Sequence, residues 1–287
     1  MAFNFQYQVT KATTVKRLLA ENGVSHRLLA KLIEQHKLWV NQQVAGNQPV
    51  APGDVVSFEV LSPQPVAPSA QPVTVALELA DWLVVVKPHG VSSVPGPSDP
   101  SNSLLNRVAG YLAAHGQPDS QPAIITRLDR DTTGLVLVAK HPFAQGRLDQ
   151  LGVNAQVKKR YRALIQPGLM PASGSVDAPL GLAADGIHRE VQADGQSALT
   201  QYQTVAQTKA AQLLEVTLVT GRTHQIRVHM QSLGHPLIGD SLYGGDLSQV
   251  TTQQLQAFEL SFTDPFTGIS HQVRLPVDAT MARLLGN

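Results

Sequence analysis

Three short segments gather polar side chains where the flanking sequence is strongly apolar. The first, Arg127-Leu128-Asp129-Arg130-Asp131-Thr132-Thr133-Gly134, runs straight into the apolar LVLVAK. A carboxylate in a tight turn that feeds a buried strand is placed at a sheet edge, where backbone donors and basic neighbours can hold it for chemistry. Asp129 and Asp131 can equally cap an Asx-type turn, and composition does not choose between the two. The second segment, Gly221-Arg222-Thr223-His224-Gln225-Ile226-Arg227-Val228-His229, follows LLEVTLVT. It sets cationic and hydrogen-bonding groups around an apolar position, which suits phosphate contacts or an ion pair with a buried carboxylate. His224, His229 and His235 lack a metal-ligand spacing such as HExxH, and the nearest acid, Asp240, lies in a Gly-Asp turn, so no metal site is expected. The third segment, Lys158-Lys159-Arg160-Tyr161-Arg162-Ala163-Leu164-Ile165, alternates so that Tyr161 faces away from Arg160 and Arg162. A ring flanked by cations suits stacking on an unpaired base, and it equally suits a core tyrosine with a bonded hydroxyl.

The surrounding elements must position these groups. Apolar residues at helical spacing predict helices over 14–22 and 25–35, joined at Gly23, before a strand starts at Leu38-Trp39-Val40 and turns at Asn41. Gly53-Asp54 precedes another strand-like run, Val55 to Val60. The stretch LSPQPVAPSAQP, with four prolines and no apolar period, reads as a linker. Beyond it lie short β-like runs at Leu79–Val86, Leu135–Ala139, Tyr161–Ile165, Leu199–Val205, Gln212–Val219 and Gln272–Leu275, with helical patterns at Ser103–Ala114 and Pro142–Leu151. The expectation is an α+β chain: a small N-terminal unit over 1–61, a linker over 62–73, and a larger domain over 74–287 with a mixed, largely antiparallel sheet. The linker predicts some independence of the two units.

The chain has 287 residues, 22 Lys+Arg against 21 Asp+Glu, and no cysteine. That length supports a sizeable core, and the missing cysteine excludes disulfides, a thiolate nucleophile and sulfur-ligated metals. The start, MAFNFQYQVTKATT, lacks the pattern of a signal peptide, and no run is long and apolar enough to span a membrane. A cytoplasmic monomer with no membrane partner is expected. The net charge of +1 hides local excesses: between Lys11 and Val40 six basic residues stand against two acidic ones. Such patches can hold a polyanion, or they can be solvated faces.

Taken together, the segments resemble the RluA-type family of RNA pseudouridine synthases. RLDRDTTGLVLVAK is similar to the family's catalytic-aspartate motif, with Asp129 at the aspartate's position. GRTHQIRVHMQSLGHPLIGDSLYGG is similar to a later motif whose arginine, here Arg227, pairs with that aspartate. KKRYRALI resembles the strand that supplies the active-site tyrosine, here Tyr161, and LVVVKPHG resembles the strand that opens the family's catalytic domain. More loosely, SHRLLAKLIEQHKLWVNQQVA followed by PGDVV resembles an S4 RNA-binding domain. The chain departs from the family's usual residues at Thr126 (histidine), Thr133 (serine) and Gln42 (glycine).

The resemblance implies conversion of uridine to pseudouridine in structured RNA, most simply 23S ribosomal RNA with transfer RNA as the other candidate, and with no cofactor. Asp129 would be the catalytic carboxylate, Arg227 its partner and Tyr161 the stacking ring on an extruded uracil. Ile226 and Leu128 would close an apolar wall, with Arg127 beside the extruded nucleotide. Arg222, His224 and Lys159, with Arg17, Arg27 and Lys31 of the N-terminal unit, would contact RNA. Two other readings compete. One is a catalytically silent S4-type ribosome-assembly factor. The other is a glycosidase, which would need a second carboxylate, with Asp131 the near candidate.

Overall fold

The computed structural model describes residues 3–60, 66–97, 99–118 and 120–286. The N-terminal unit contains β1 (Phe3–Gln8), β2 (Thr13–Thr14), α1 (Val15–Glu21), α2 (His26–Glu34), β3 (Leu38–Val40), β4 (Gln43–Val44), β5 (Pro49–Val50) and β6 (Val55–Val60). The Thr14 hydroxyl accepts from the Arg17 amide at 3.3 Å and the Ser25 hydroxyl from the Leu28 amide at 3.1 Å, so each helix begins at a side-chain cap. Val15, Leu19, Leu29 and Leu32 bury against Val56 and Phe58 of a four-stranded sheet ordered β1-β6-β3-β4.

The rest of the chain runs β7 (Thr74–Glu78), β8 (Trp82–Lys87), α3 (Leu104–Ala114), β9 (Ala123–Ile124), β10 (Thr133–Ala139), α4 (Pro142–Leu151), α5 (Val153–Gln156), β11 (Val157–Ile165), β12 (Ser173–Asp177), β13 (Leu180–Leu182), β14 (Arg189–Val191), β15 (Leu199–Gln207), β16 (Gln212–Leu218), α6 (Gln225–Ser232), β17 (Leu255–Thr263), β18 (Ser270–Arg274) and α7 (Ala279–Leu285). One ten-stranded sheet follows the order β12-β15-β16-β11-β17-β10-β8-β7, with β18 on β17 and β9 on β10. Its pairings are antiparallel except β10 with β17, which is parallel at Thr133↔Gln256 and Gly134↔Ala257. A Cβ on Gly134 would collide with the Ala257 carbonyl, and its φ is +113°, so this junction requires glycine.

Strands β8 and β10 are apolar on both faces because both are covered. Leu83, Val85, Val136 and Val138 pack with Leu104, Val108 and Leu112 of α3. On the other face Val84, Leu135 and Leu137 pack with Ala144 and Leu148 of α4. The largely antiparallel α+β architecture is therefore as expected, with local differences. The Leu79–Val86 run is a turn followed by β8, because the Leu79 amide donates to the Trp82 carbonyl at 2.9 Å, and a separate strand, β7, precedes it. The loop of the first motif does not lie at a sheet edge: β10 sits inside the sheet, between β8 and β17. Strand β17 was not foreseen, because buried Gln256 and Glu259 interrupt its apolar run.

Positions 61–65 of the linker region lie outside the described residues. The part that follows is tied to α3: the Ser69 amide donates to the Asn106 carbonyl at 2.9 Å and the Asn106 side chain to the Ala67 carbonyl at 2.8 Å. The two units also share a core. Phe143 of α4 belongs to the N-terminal cluster, its ring 4.6 Å from Phe5, 5.3 Å from Phe58 and 5.4 Å from Phe266. The independence expected from the prolines gives way to this aromatic contact.

Candidate functional site

Asp129 lies in the loop that leads from β9 into β10. Its own carbonyl closes the turn by accepting from the Thr132 amide at 3.2 Å, which leaves the carboxylate to project from the loop. Two buried side chains hold this loop from below. Ser93 grips Leu128 twice, its hydroxyl donating to the Leu128 carbonyl at 2.7 Å and accepting from the Leu128 amide at 3.0 Å. Lys87, the last residue of β8, is fully buried and donates to the carbonyls of Arg130 at 2.6 Å, Val91 at 2.7 Å and Pro88 at 3.0 Å. Burial pulls its pKa down to about 8, against the opposing pull of Asp131 and Asp129.

Helix α6 supplies the partner of Asp129. Arg227 is buried and makes a two-bond clamp with Asp240, Nε to Oδ2 at 2.7 Å and Nη2 to Oδ1 at 2.8 Å. Its remaining terminal nitrogen, Nη1, reaches Asp129 Oδ2 at 3.5 Å. Burial opposes the charge on Arg227, but the Asp240 bonds and the Asp129 charge outweigh it and raise its pKa. The guanidinium stands 4.8 Å over the Tyr243 ring. His224, left-handed at φ 57°, begins α6, with Nδ1 2.8 Å from the Tyr243 hydroxyl and Nε2 3.9 Å from Asp129 Oδ2. Burial lowers the pKa of His224.

Tyr161 enters from β11. It is 5 % exposed and belongs to the main core cluster, yet it also lines the cleft that holds Asp129, so the core and site readings of this ring coincide. Arg160 and Arg162 lie on the opposite face, as the alternation predicts. They stack on Phe258 at 5.4 and 4.0 Å and pair with Glu215, which uses them inside the protein. Lys159 donates to the Arg127 carbonyl at 3.3 Å, with its amine 5.4 Å from the Tyr161 ring centre.

The cleft has a volume of about 950 Å³, and Asp129, Tyr161, Arg227, Arg127, Arg222, His224 and Lys159 all line it, together with Leu128 and Ile226. Arg17, Arg27 and Lys31 do not. Arg17 pairs with Glu21 at 3.2 Å on the exposed side of α1, while Arg27 and Lys31 line a smaller groove between α2 and α4. Asp131 is outside the cleft lining and is held by Arg130 at 3.1 Å and His89 at 3.3 Å. Although burial opposes its charge, the bond to Arg130 and the Arg130 charge lower its pKa. Glu259, the other acid of the cleft lining, is bound by Arg160 and Arg274. The paired free carboxylates of a glycosidase are thus not assembled among the described residues. His229 is a structural histidine, bonded to Thr200 at 2.8 Å and the Ala178 carbonyl at 3.0 Å. Thr126 serves the sheet, its hydroxyl accepting from the Leu137 amide at 3.1 Å.

Lys87, Ser93, Asp240 and Tyr243 were not singled out by the sequence reading. The signal for Lys87 was a lysine closing an apolar strand, and for Asp240 and Tyr243 their place at the end of GRTHQIRVHMQSLGHPLIGDSLYGG; Ser93 carried none.

A family model described as RNA pseudouridylate synthase matches residues 81–232, which takes in all three segments. A Bacillus subtilis (strain 168) protein named as an uncharacterized RNA pseudouridine synthase, YjbO, is 37% identical over 283 residues, covering 95% of this chain and 98% of its own. Ribosomal large subunit pseudouridine synthase D of Zymomonas mobilis is 34% identical over 247 residues, covering 78% of this chain and 77% of its own. Among solved structures, human RNA pseudouridylate synthase domain containing 1 aligns with a TM-score of 0.61 at 22% identity, covering 72% of this chain and 84% of that one, a likeness of fold.

Proposed function

The chain belongs to the RNA pseudouridine synthase family, and we propose that it isomerises uridine in large-subunit ribosomal RNA with Asp129 as the reacting carboxylate. The observation that carries this reading is the convergence, in one cleft, of a partly exposed carboxylate, an arginine fixed from behind by a buried acid, and an aromatic ring. The reaction breaks the N1–C1′ bond and forms C5–C1′. C5 loses a proton and N1 gains one, so nothing external is consumed. Asp129 starts it by adding to C1′ or by taking a sugar proton, Arg227 orients Asp129, and Tyr161 stacks on the extruded uracil. Leu128 and Ile226 wall the base from water.

The large-subunit wording in a relative's name supports ribosomal over transfer RNA. Seven Lys and Arg residues line the cleft against two acids, and with Arg160 taken up by Glu215 and Glu259 the balance still favours a polyanion. The N-terminal unit, read as S4-like, adds Arg17, Arg27 and Lys31 as phosphate contacts.

The test is pseudouridine mapping by carbodiimide-dependent reverse-transcription stops on total RNA from cells with and without the gene, rescued by wild type or by Asp129→Ala. Loss of a defined large-subunit site, restored only by wild type, is the expected result. Stops that are unchanged by deletion would favour the silent assembly factor, and restoration by Asp129→Ala would overturn the role of Asp129.

A further inference from the structure

Among the described residues, both charged or ionisable groups that approach Asp129 address the same oxygen. Arg227 Nη1 lies 3.5 Å and His224 Nε2 3.9 Å from Oδ2, so Oδ1 is left for the substrate. The second approach matters only if His224 carries its proton on Nε2, and that depends on what Nδ1 meets. Nδ1 meets the Tyr243 hydroxyl at 2.8 Å, and that same oxygen already accepts the Arg189 amide proton at 3.0 Å. The amide occupies an acceptor position of the hydroxyl and leaves its hydrogen to serve Nδ1. A neutral imidazole that accepts at Nδ1 bears its hydrogen on Nε2, facing Asp129.

We propose that Tyr243 and His224 are positioning residues: Tyr243 fixes the Nε2–H tautomer of His224, which donates to Asp129 Oδ2 and presents Oδ1 to the substrate. This rests on the reading of Asp129 as the reacting carboxylate. The 3.9 Å separation closes when substrate fills the cleft, as catalytic contacts commonly do. The charged groups around the imidazole are divided. Asp129 and Asp240 favour its cation while Arg227 and Arg189 oppose it, and burial, the largest effect, keeps it neutral. Tyr243 serves the site three times over, since its ring lies under Arg227 and its amide donates to Asp240 Oδ1 at 3.3 Å. Tyr243→Phe keeps the ring, which also packs edge-on against His224 at 5.7 Å, and removes only the hydroxyl with its bonds to His224 and to the Arg189 amide.

Nitrogen-15 NMR of the imidazole of His224 in the full-length protein tests the tautomer without any substrate. The expected spectrum has a protonated Nε2 and an unprotonated Nδ1, with a mixed or reversed pattern in Tyr243→Phe. A protonated Nδ1 in the wild type, or no change in Tyr243→Phe, would overturn the proposal. Steady-state kinetics on large-subunit RNA then read the consequence. Tyr243→Phe is expected to lower kcat roughly tenfold with little change in KM, and His224→Leu to lower it further, with His224→Gln, which restores an N–H near the same place, recovering most of the loss. A raised KM with unchanged kcat in these variants would make His224 a plain RNA contact. An inactive wild type showing the expected tautomer would instead locate the failure in the choice of reaction or RNA.

Discussion

Arg227 is held more firmly by Asp240 than it holds Asp129: two bonds at 2.7 and 2.8 Å against one approach at 3.5 Å. The arginine is thus held from behind whether or not it meets Asp129, and Asp129, 27% exposed at its side chain, is the more open partner of the pair. Asp240→Asn leaves a buried guanidinium short of its counter-charge. It is expected to cost about 3 kcal/mol in denaturant unfolding and to lower kcat by roughly tenfold to a hundredfold in single-turnover assays. Lys87 gives a prediction in pH. Its pKa is about 8 when folded against 10.5 for an ordinary lysine, so between these values the unfolded chain holds a proton that the folded chain has released. Stability from this group therefore rises with pH across that window, by up to about 1.4 kcal/mol per unit, and is flat below it. Unfolding free energies of wild type and Lys87→Met from pH 7 to 10 should differ by this slope. A parallel pair of curves would show that Lys87 does not titrate there.

At the scale of elements, the helices α1 and α2 were legible because their caps and apolar spacing are local, and so were β10, whose run is apolar, and β11, in which basic residues alternate with aromatic and apolar ones. Strand β17 was hidden because its polar residues are satisfied by distant partners: Glu259 by Arg160 and Arg274, and the Gln256 side chain by the Pro276 carbonyl. The site divides in the same way. Asp129, Tyr161 and Arg227 stand in recognisable motifs, whereas Ser93 touches Leu128 across 35 residues and Lys87 touches Arg130 across 43, separations that no local pattern encodes. One element carries a correctable strain. The β3–β4 hairpin turns through Asn41 and Gln42 at φ 50° and 68°, a two-residue turn in which glycine is the favoured second residue. Gln42→Gly should stabilise the protein by about 1 kcal/mol, seen as a raised denaturation midpoint. A lowered midpoint would mean that the glutamine side chain contributes more than the backbone loses.

Across the whole molecule, a net charge of +1 is compatible with RNA binding because the positive charge is concentrated at the cleft. Arg222, exposed at the cleft rim with Nε on the Ser197 carbonyl at 3.0 Å, is placed for a phosphate contact. Arg222→Ala should weaken RNA binding and make the dependence of log K on log salt shallower by about 0.7 to 0.9, measured by filter binding over a salt series. An unchanged slope would remove Arg222 from the phosphate contacts.

The rings of Phe5, Phe58, Phe143 and Phe266 join the N-terminal sheet to α4, and the Ser69 segment is bonded to α3. Their consequence is metrological. If the basic groove at α2 grips RNA as proposed above, the shared core sets the span between that groove and the mouth of the cleft, and the protein would work as a caliper. On that proposal, an RNA that grips both would present a phosphate ridge and an extrudable uridine at that one separation, and target choice would be set by a distance in the folded RNA as well as by the bases around the modified position.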